Sequence, residues 1–118
     1  MPTVLLVDDH PSFRATARLL LEADGFDIVG EAATGEEGLS EAERLHPDVV
    51  LLDVGLPDID GFGVLAELGA LPDVPAVVLV SSREAADYGG RVDRSGAAGF
   101  ISKAELSAGT LARAVGRP

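Results

Sequence analysis

Apolar positions along this chain follow two alternating rhythms. Val4-Leu5-Leu6-Val7, Val49-Val50-Leu51-Leu52 and Ala76-Val77-Val78-Leu79-Val80 are short, unbroken apolar runs rich in β-branched residues. Such runs predict strands buried on both faces. Phe26 to Ala33 and Ala98 to Ile101 predict two further strands. Between the runs, apolar residues fall at helical spacing: Phe13, Ala17, Leu20 and Leu21 on one face, Leu39, Ala42 and Leu45 on a second, Phe62, Leu65 and Ala66 on a third. Pro11 suits a first helical turn. Thr34-Gly35-Glu36-Glu37 matches a capping box with Thr34 as N-cap, and Asp58 or Asp60 suits the cap of a third helix. A fourth helix between Arg83 and Ser95 is interrupted by Gly89-Gly90. A last helix starts near Ser107 and carries Leu111, Ala114 and Val115.

Strand and helix therefore alternate five times, which predicts an α/β fold: a parallel sheet with helices on both faces, joined by right-handed crossovers. The length of 118 residues suits one domain, read as 1–118, with no room for a second after the fifth helix. A hydrophobic fraction of 47% excludes a disordered chain. The absence of cysteine excludes disulfides, thiolate zinc sites and a cysteine nucleophile. No run approaches the ~20 apolar residues that span a bilayer, and the N-terminus does not resemble a signal peptide. A cytoplasmic, soluble protein with no membrane partner is expected. The net charge of −11 argues against direct nucleic-acid binding, which draws on neutralising phosphates.

Candidate chemistry emerges from what ends each strand. The first is followed by Asp8-Asp9, the third by Asp53, the fourth by Ser81-Ser82, and Lys103 follows the fifth within two residues. In a parallel sheet these ends share one edge, where ligands of open α/β sheets bind. With the strand order 2-1-3-4-5 of flavodoxin-like folds, strands one and three flank the switch point. Three carboxylates in one crevice repel unless a cation offsets them. Oxygen ligands select Mg²⁺, Mn²⁺ or Ca²⁺ over zinc or copper, and Mg²⁺ leaves coordination positions for a phosphate oxygen. Asp8 and Asp9 also suit plain caps of the first helix. Lys103, the only lysine, offers a compact charge to a phosphoryl oxygen, and Ser81 a hydroxyl; alone, each would read as an ordinary surface or turn residue. An aspartate in this company can attack phosphorus and form an acyl phosphate. His10 reads as a turn residue rather than a ligand or base, His46 as a helix-end residue, Leu56-Pro57 with Gly61 as loop geometry, and Tyr88 as either surface or interface.

Taken together, Asp8-Asp9, Asp53 with Leu56-Pro57-Asp58 and Asp60-Gly61, Ser81 and Lys103 resemble the receiver domain of bacterial two-component response regulators. The segment Val7-Asp8-Asp9-His10-Pro11 with Arg14 is most similar to receivers that precede a helix-turn-helix output domain. The resemblance implies a phospho-acceptor at Asp53, served by a sensor histidine kinase. It implies Mg²⁺ at Asp8, Asp9, Asp53 and the Gly55 carbonyl, phosphoryl contacts from Ser81 and Lys103, and an aromatic switch at Phe100, which equally reads as a core aromatic. It further implies a signalling domain rather than an enzyme. The output face would be helix four, strand five and helix five, through which a homodimer or a downstream protein would bind. The helix-turn-helix likeness favours a fragment or shortened relative of a longer regulator. Three departures stand out: Ala104 follows Lys103 where many relatives have proline, so no cis peptide is expected there; Phe100 lacks the hydroxyl of the common tyrosine; and helix four is glycine-interrupted. Two other functions compete. An aspartyl-phosphate hydrolase would need an acid where Gly55 stands, and a phosphate-independent interaction module would have no use for the full acceptor set.

Overall fold

Each unbroken apolar run forms a strand in the computed structural model, which describes residues 2–116. The strands are β1 (Thr3–Val7), β2 (Asp27–Ala32), β3 (Val49–Asp53), β4 (Ala76–Ser81) and β5 (Gly99–Ser102). They form one parallel sheet in the order β2-β1-β3-β4-β5, with Leu5 opposite Val50 and Val50 opposite Val77. The three apolar runs occupy the central strands, where both faces must be covered.

Because side chains alternate across a strand, each run supplies two cores. Val4, Leu6, Leu51, Val78 and Val80 face α1 (Pro11–Glu22) and α5 (Ala108–Ala114), represented by Ala17, Leu21 and Leu111. Leu5, Val7, Val50, Leu52 and Leu79 face α2 (Gly35–Leu45) and α3 (Gly61–Leu68), represented by Ala42, Val64, Leu65 and Leu68. Two helix faces differ from the sequence reading. Leu20 is 41% exposed, so Phe13, Ala17 and Leu21 make the buried stripe of α1. In α3 the stripe is Gly61, Val64, Leu65 and Leu68 while Ala66 faces solvent, because the helix begins at Gly61 and buries the residues one turn on. No helix among the described residues is long and apolar enough to cross a membrane.

The helix ends determine how the loops at the C-terminal sheet edge are held. Pro11 opens α1 as expected. Thr34 Oγ1 accepts from the Glu37 N–H at 3.1 Å, but the Glu37 carboxylate accepts from the Ala33 N–H, one residue before the position a capping box requires. Asp60 caps α3 through the Gly63 N–H at 2.9 Å. Asp58 does something else: its carboxylate accepts from the N–H groups of Gly35 and Glu36, at 2.7 and 3.0 Å, and so ties the loop after β3 to the start of α2. Those bonds hold its carboxyl below the usual aspartate range. Between β4 and β5 the glycine pair has its expected effect. A 3₁₀ turn at Ala85–Tyr88 precedes a short α4 (Arg91–Arg94), and Gly89 takes φ +59° between them. Ser107 caps α5, and Val115 is its C-cap rather than part of the helix. No peptide bond among the described residues is cis, Lys103-Ala104 included.

Gly61 sits where no side chain fits. Its N–H donates to the Val54 carbonyl at 2.8 Å. A Cβ there would lie 2.6 Å from the Asp53 carbonyl oxygen and 2.7 Å from Val54 Cα. Backbone on both sides cannot yield cheaply, so Gly61→Ala is expected to destabilise the fold by ~2–3 kcal/mol. Urea denaturation should show a lowered midpoint; an unchanged midpoint would mean that the loop after Asp53 is free to shift.

Candidate functional site

At the C-terminal edge, β1 and β3 deliver Asp8 and Asp53 side by side. Asp8 follows the last residue of β1, and its N–H continues the β1–β2 ladder to the Ala32 carbonyl. Asp53 ends β3, and its Oδ1 accepts from the Gly55 N–H at 3.1 Å. Only 2% of Asp8 and 4% of Asp53 is exposed, unusual for aspartates without a full set of partners. Lys103, just past β5, lies 2.6 Å from Asp8 Oδ2 and 3.6 Å from Asp53 Oδ2, with its ammonium 4.5 Å above the Phe13 ring.

His10 completes the cluster. Its Nδ1 lies 3.0 Å from Asp8 Oδ1, 3.2 Å from Asp9 Oδ1 and 4.0 Å from Asp53 Oδ2. One ligand atom from each of Asp8, Asp9, His10 and Asp53 falls within 4.8 Å of the others. The reading of Asp8 and Asp9 as mere caps does not account for this: Asp8 Oδ1 accepts from the N–H of His10, the residue before α1, not from its first turn. Arg14 stiffens the same loop, donating to the Asp8 carbonyl while its Nε bonds Glu31 at 3.0 Å.

The electrostatics are unbalanced. Burial pushes the Asp53 carboxyl above the ordinary aspartate value, and the neighbouring Asp8 charge pushes the same way. The Gly55 N–H and Lys103 oppose them without prevailing. Asp9 Oδ1 is buried with no hydrogen bond, and Asp8 Oδ2 has the Lys103 ammonium at 2.6 Å as its one close partner among the described residues. Carboxylate oxygens gathered this closely, with one ammonium beside them, form a pocket suited to a cation. The donors are carboxylate oxygens with one imidazole edge, a set that fits a hard divalent ion such as Mg²⁺ or Mn²⁺.

The structure thus brings together Asp8, Asp9, Asp53 and Lys103, with Gly55 beside them. The other two expected residues have further partners of their own. Ser81, one residue beyond the Val80 that pairs with Asp53, has its Oγ 2.6 Å from the Tyr88 hydroxyl and accepts from the Arg83 N–H at 3.0 Å. Phe100 lies behind Tyr88, with ring centroids 6.0 Å apart. Sequence reasoning missed two residues. His10 had a signal in its position directly after an acidic pair. Tyr88 had none, because it lies in the glycine-broken segment where helical spacing gives no guidance.

A linkage prediction follows. A carboxyl with a raised folded pKa favours the fold when protonated and loses that contribution as pH rises through its folded value. At pH 7 without divalent ions, Asp53→Asn is therefore expected to raise the melting temperature by roughly 3–6 °C, equivalent to ~1 kcal/mol in a chain of this size. Mg²⁺ should raise the melting temperature of the native chain and act much less on the variant. Equal Mg²⁺ effects on both would place the cation elsewhere.

Residues 4–115 match the family model described as the response regulator receiver domain. A Pseudomonas aeruginosa protein named as a transcriptional regulator is 46% identical over 105 residues, covering 89% of this chain and 51% of that protein. The response regulator GacA of Pseudomonas viridiflava is 42% identical, covering 87% of this chain and 49% of that protein. The chain spans about half the length of the curated relatives it matches. The solved receiver domain of the response regulator NarL from Mycobacterium tuberculosis superimposes with a TM-score of 0.86 at 33% identity, covering 98% of both chains. The chain belongs to the receiver-domain family of two-component response regulators.

Proposed function

We propose that this receiver takes a phosphoryl group onto Asp53 from a phosphohistidine of a sensor histidine kinase, in a reaction that requires Mg²⁺. The observation that carries the proposal is a buried Asp53 of raised pKa, crowded by Asp8 and Asp9 and faced by Lys103. An Asp53 carboxylate oxygen attacks phosphorus in line; the new P–O bond forms as the P–N bond to the donor imidazole breaks, and the imidazole leaves. Charge spreads over the equatorial phosphoryl oxygens in the transition state. Asp8, Asp9, Asp53 and the Gly55 carbonyl would hold Mg²⁺, which supplies charge neutralisation for the carboxylates and a phosphoryl oxygen. Lys103 neutralises a second phosphoryl oxygen, and the Ser81 hydroxyl donates to a third.

Gly55 two residues after Asp53 leaves no carboxyl to act as an acid in turnover of phosphate esters, so the domain acts as a signalling acceptor rather than a hydrolase. Its output belongs to another unit. A net charge of −11 makes this domain a poor reader of DNA, and relatives about twice its length are named as regulators of transcription. We read residues 1–118 as one receiver domain that controls a DNA-binding unit, joined to it or separate, through the face of α4, β5 and α5. A second copy of the chain is a further occupant of that face.

Intact mass after incubation with acetyl phosphate tests the acceptor. The native chain should gain one phosphoryl group only when Mg²⁺ is present, and Asp53→Asn should gain none. Labelling that survives the substitution, or proceeds without Mg²⁺, would overturn the assignment.

A further inference from the structure

The resemblance puts an aromatic switch at Phe100, which has no hydroxyl to offer Ser81. The structure supplies one from a different element. The Tyr88 hydroxyl lies 2.6 Å from Ser81 Oγ, at the short end for an O–H···O bond. The ring that carries it is held on two sides, by Phe62 at 5.8 Å between centroids and Phe100 at 6.0 Å. Tyr88 is the last residue of the 3₁₀ turn Ala85–Tyr88. The other end of that turn is anchored separately: Glu84 takes a hydrogen bond from the Ser102 hydroxyl at the end of β5 and caps the turn with Asp87. Beyond Tyr88 comes Gly89, at φ +59° and ψ −135°, a conformation open essentially to glycine alone. The turn is therefore pinned at Glu84, hinged at Gly89, and joined through one hydroxyl pair to the end of β4, the strand beside the acceptor strand.

We propose that Tyr88 is a positioning residue: its hydroxyl couples the Ser81 side chain to the Ala85–Tyr88 turn, so that phosphorylation of Asp53 breaks the Ser81–Tyr88 bond and releases the turn. The inference rests on the reading of Asp53 as the acceptor. A serine hydroxyl has one hydrogen and two lone pairs. Ser81 already accepts from the Arg83 N–H, and a phosphoryl oxygen can only accept, so Ser81 must bring its hydrogen to the phosphoryl group. Turning Oγ toward the phosphoryl group on Asp53 takes both the hydrogen and the oxygen of Ser81 away from the Tyr88 hydroxyl they now meet at 2.6 Å. Tyr88 cannot follow, because Phe62 and Phe100 hold its ring, so the bond opens. Phe100 then contributes packing alone, and the phosphorylation signal passes to the output face through the turn rather than through β5.

The test uses the whole chain with Mg²⁺ and beryllium fluoride as the phosphoryl mimic, read by amide NMR. Gly55, whose N–H bonds Asp53, reports occupancy of the acceptor. Hydrogen exchange at the Asp87 and Gly89 amides, which close the turn onto Glu84 and Ala86, reports its release. In the native chain beryllium fluoride should shift Gly55 and speed exchange at Asp87 and Gly89 about fivefold, the weight of one ordinary hydrogen bond. In Tyr88→Phe, which keeps the ring packing, exchange should already be fast without the mimic and change less than about twofold on adding it, while the Gly55 shift persists. Without the mimic, exchange at Asp87 and Gly89 in Ser81→Ala should be as fast as in Tyr88→Phe, with no further change in the double variant. A Gly55 shift in the native chain with unmoved Asp87 and Gly89 overturns the coupling and leaves the acceptor standing. A native-sized response in Tyr88→Phe also overturns it, since the ring would then suffice. No Gly55 shift in the native chain overturns the acceptor reading, and this inference with it.

Discussion

The constraint on which the rest depends is the burial of two carboxylates, Asp8 and Asp53, at the ends of adjacent parallel strands, with the only lysine of the chain beside them. Folding alone would not favour this arrangement. Burial and the neighbouring Asp8 charge both disfavour the ionised form of Asp53, and the Lys103 ammonium does not offset them. A divalent cation bound among these carboxylates would relieve that crowding. The unfavourable electrostatics keep the site ready to bind.

Such a site needs rigid surroundings, and the fold supplies them from both sides. The central strands are apolar on both faces, so the sheet fixes the positions of the strand ends to within packing tolerance. Loops beyond those ends are then fastened individually. Arg14 bonds the Asp8 carbonyl and Glu31 together, Asp58 reaches across to the start of α2, and Gly61 lets the loop after Asp53 fold back on its own backbone. The contrast lies between β4 and β5, where a 3₁₀ turn, a four-residue helix and a glycine at positive φ replace a full helix. Stiffness surrounds the acceptor, and the looser segment lies next to it, as expected of a domain that converts chemistry into a change of surface.

Much of this was legible in the sequence because two periodicities carried it. The unbroken runs at Val4, Val49 and Ala76 identified the central strands, and the residues after the first two of them and after the fifth strand identified Asp8, Asp9, Asp53 and Lys103 as neighbours. Sheet order came from likeness to flavodoxin-like folds and not from periodicity, and the structure agrees with it. What remained hidden depended on tertiary reach. Asp58 looked like a cap for α3 because local rules see only the nearest helix, whereas its carboxylate serves α2. His10 looked like a turn residue, and it is one, but folding also sets its Nδ1 against three carboxylates. Tyr88 lies in a segment with no period at all, and only the folded β4 brings Ser81 to its hydroxyl.

The account stands or falls on where a divalent cation binds. Mn²⁺ fits the same oxygen donors as Mg²⁺ and broadens nearby amide resonances through its unpaired electrons. Titrated at substoichiometric levels, it should first bleach the amides of Asp8, Asp9, His10 and residues 53–55, and excess Mg²⁺ should restore them. Bleaching that begins instead at the exposed acids of α2, around Glu36 and Glu37, would contradict the claim that the crowded carboxylates at the sheet edge are a metal site.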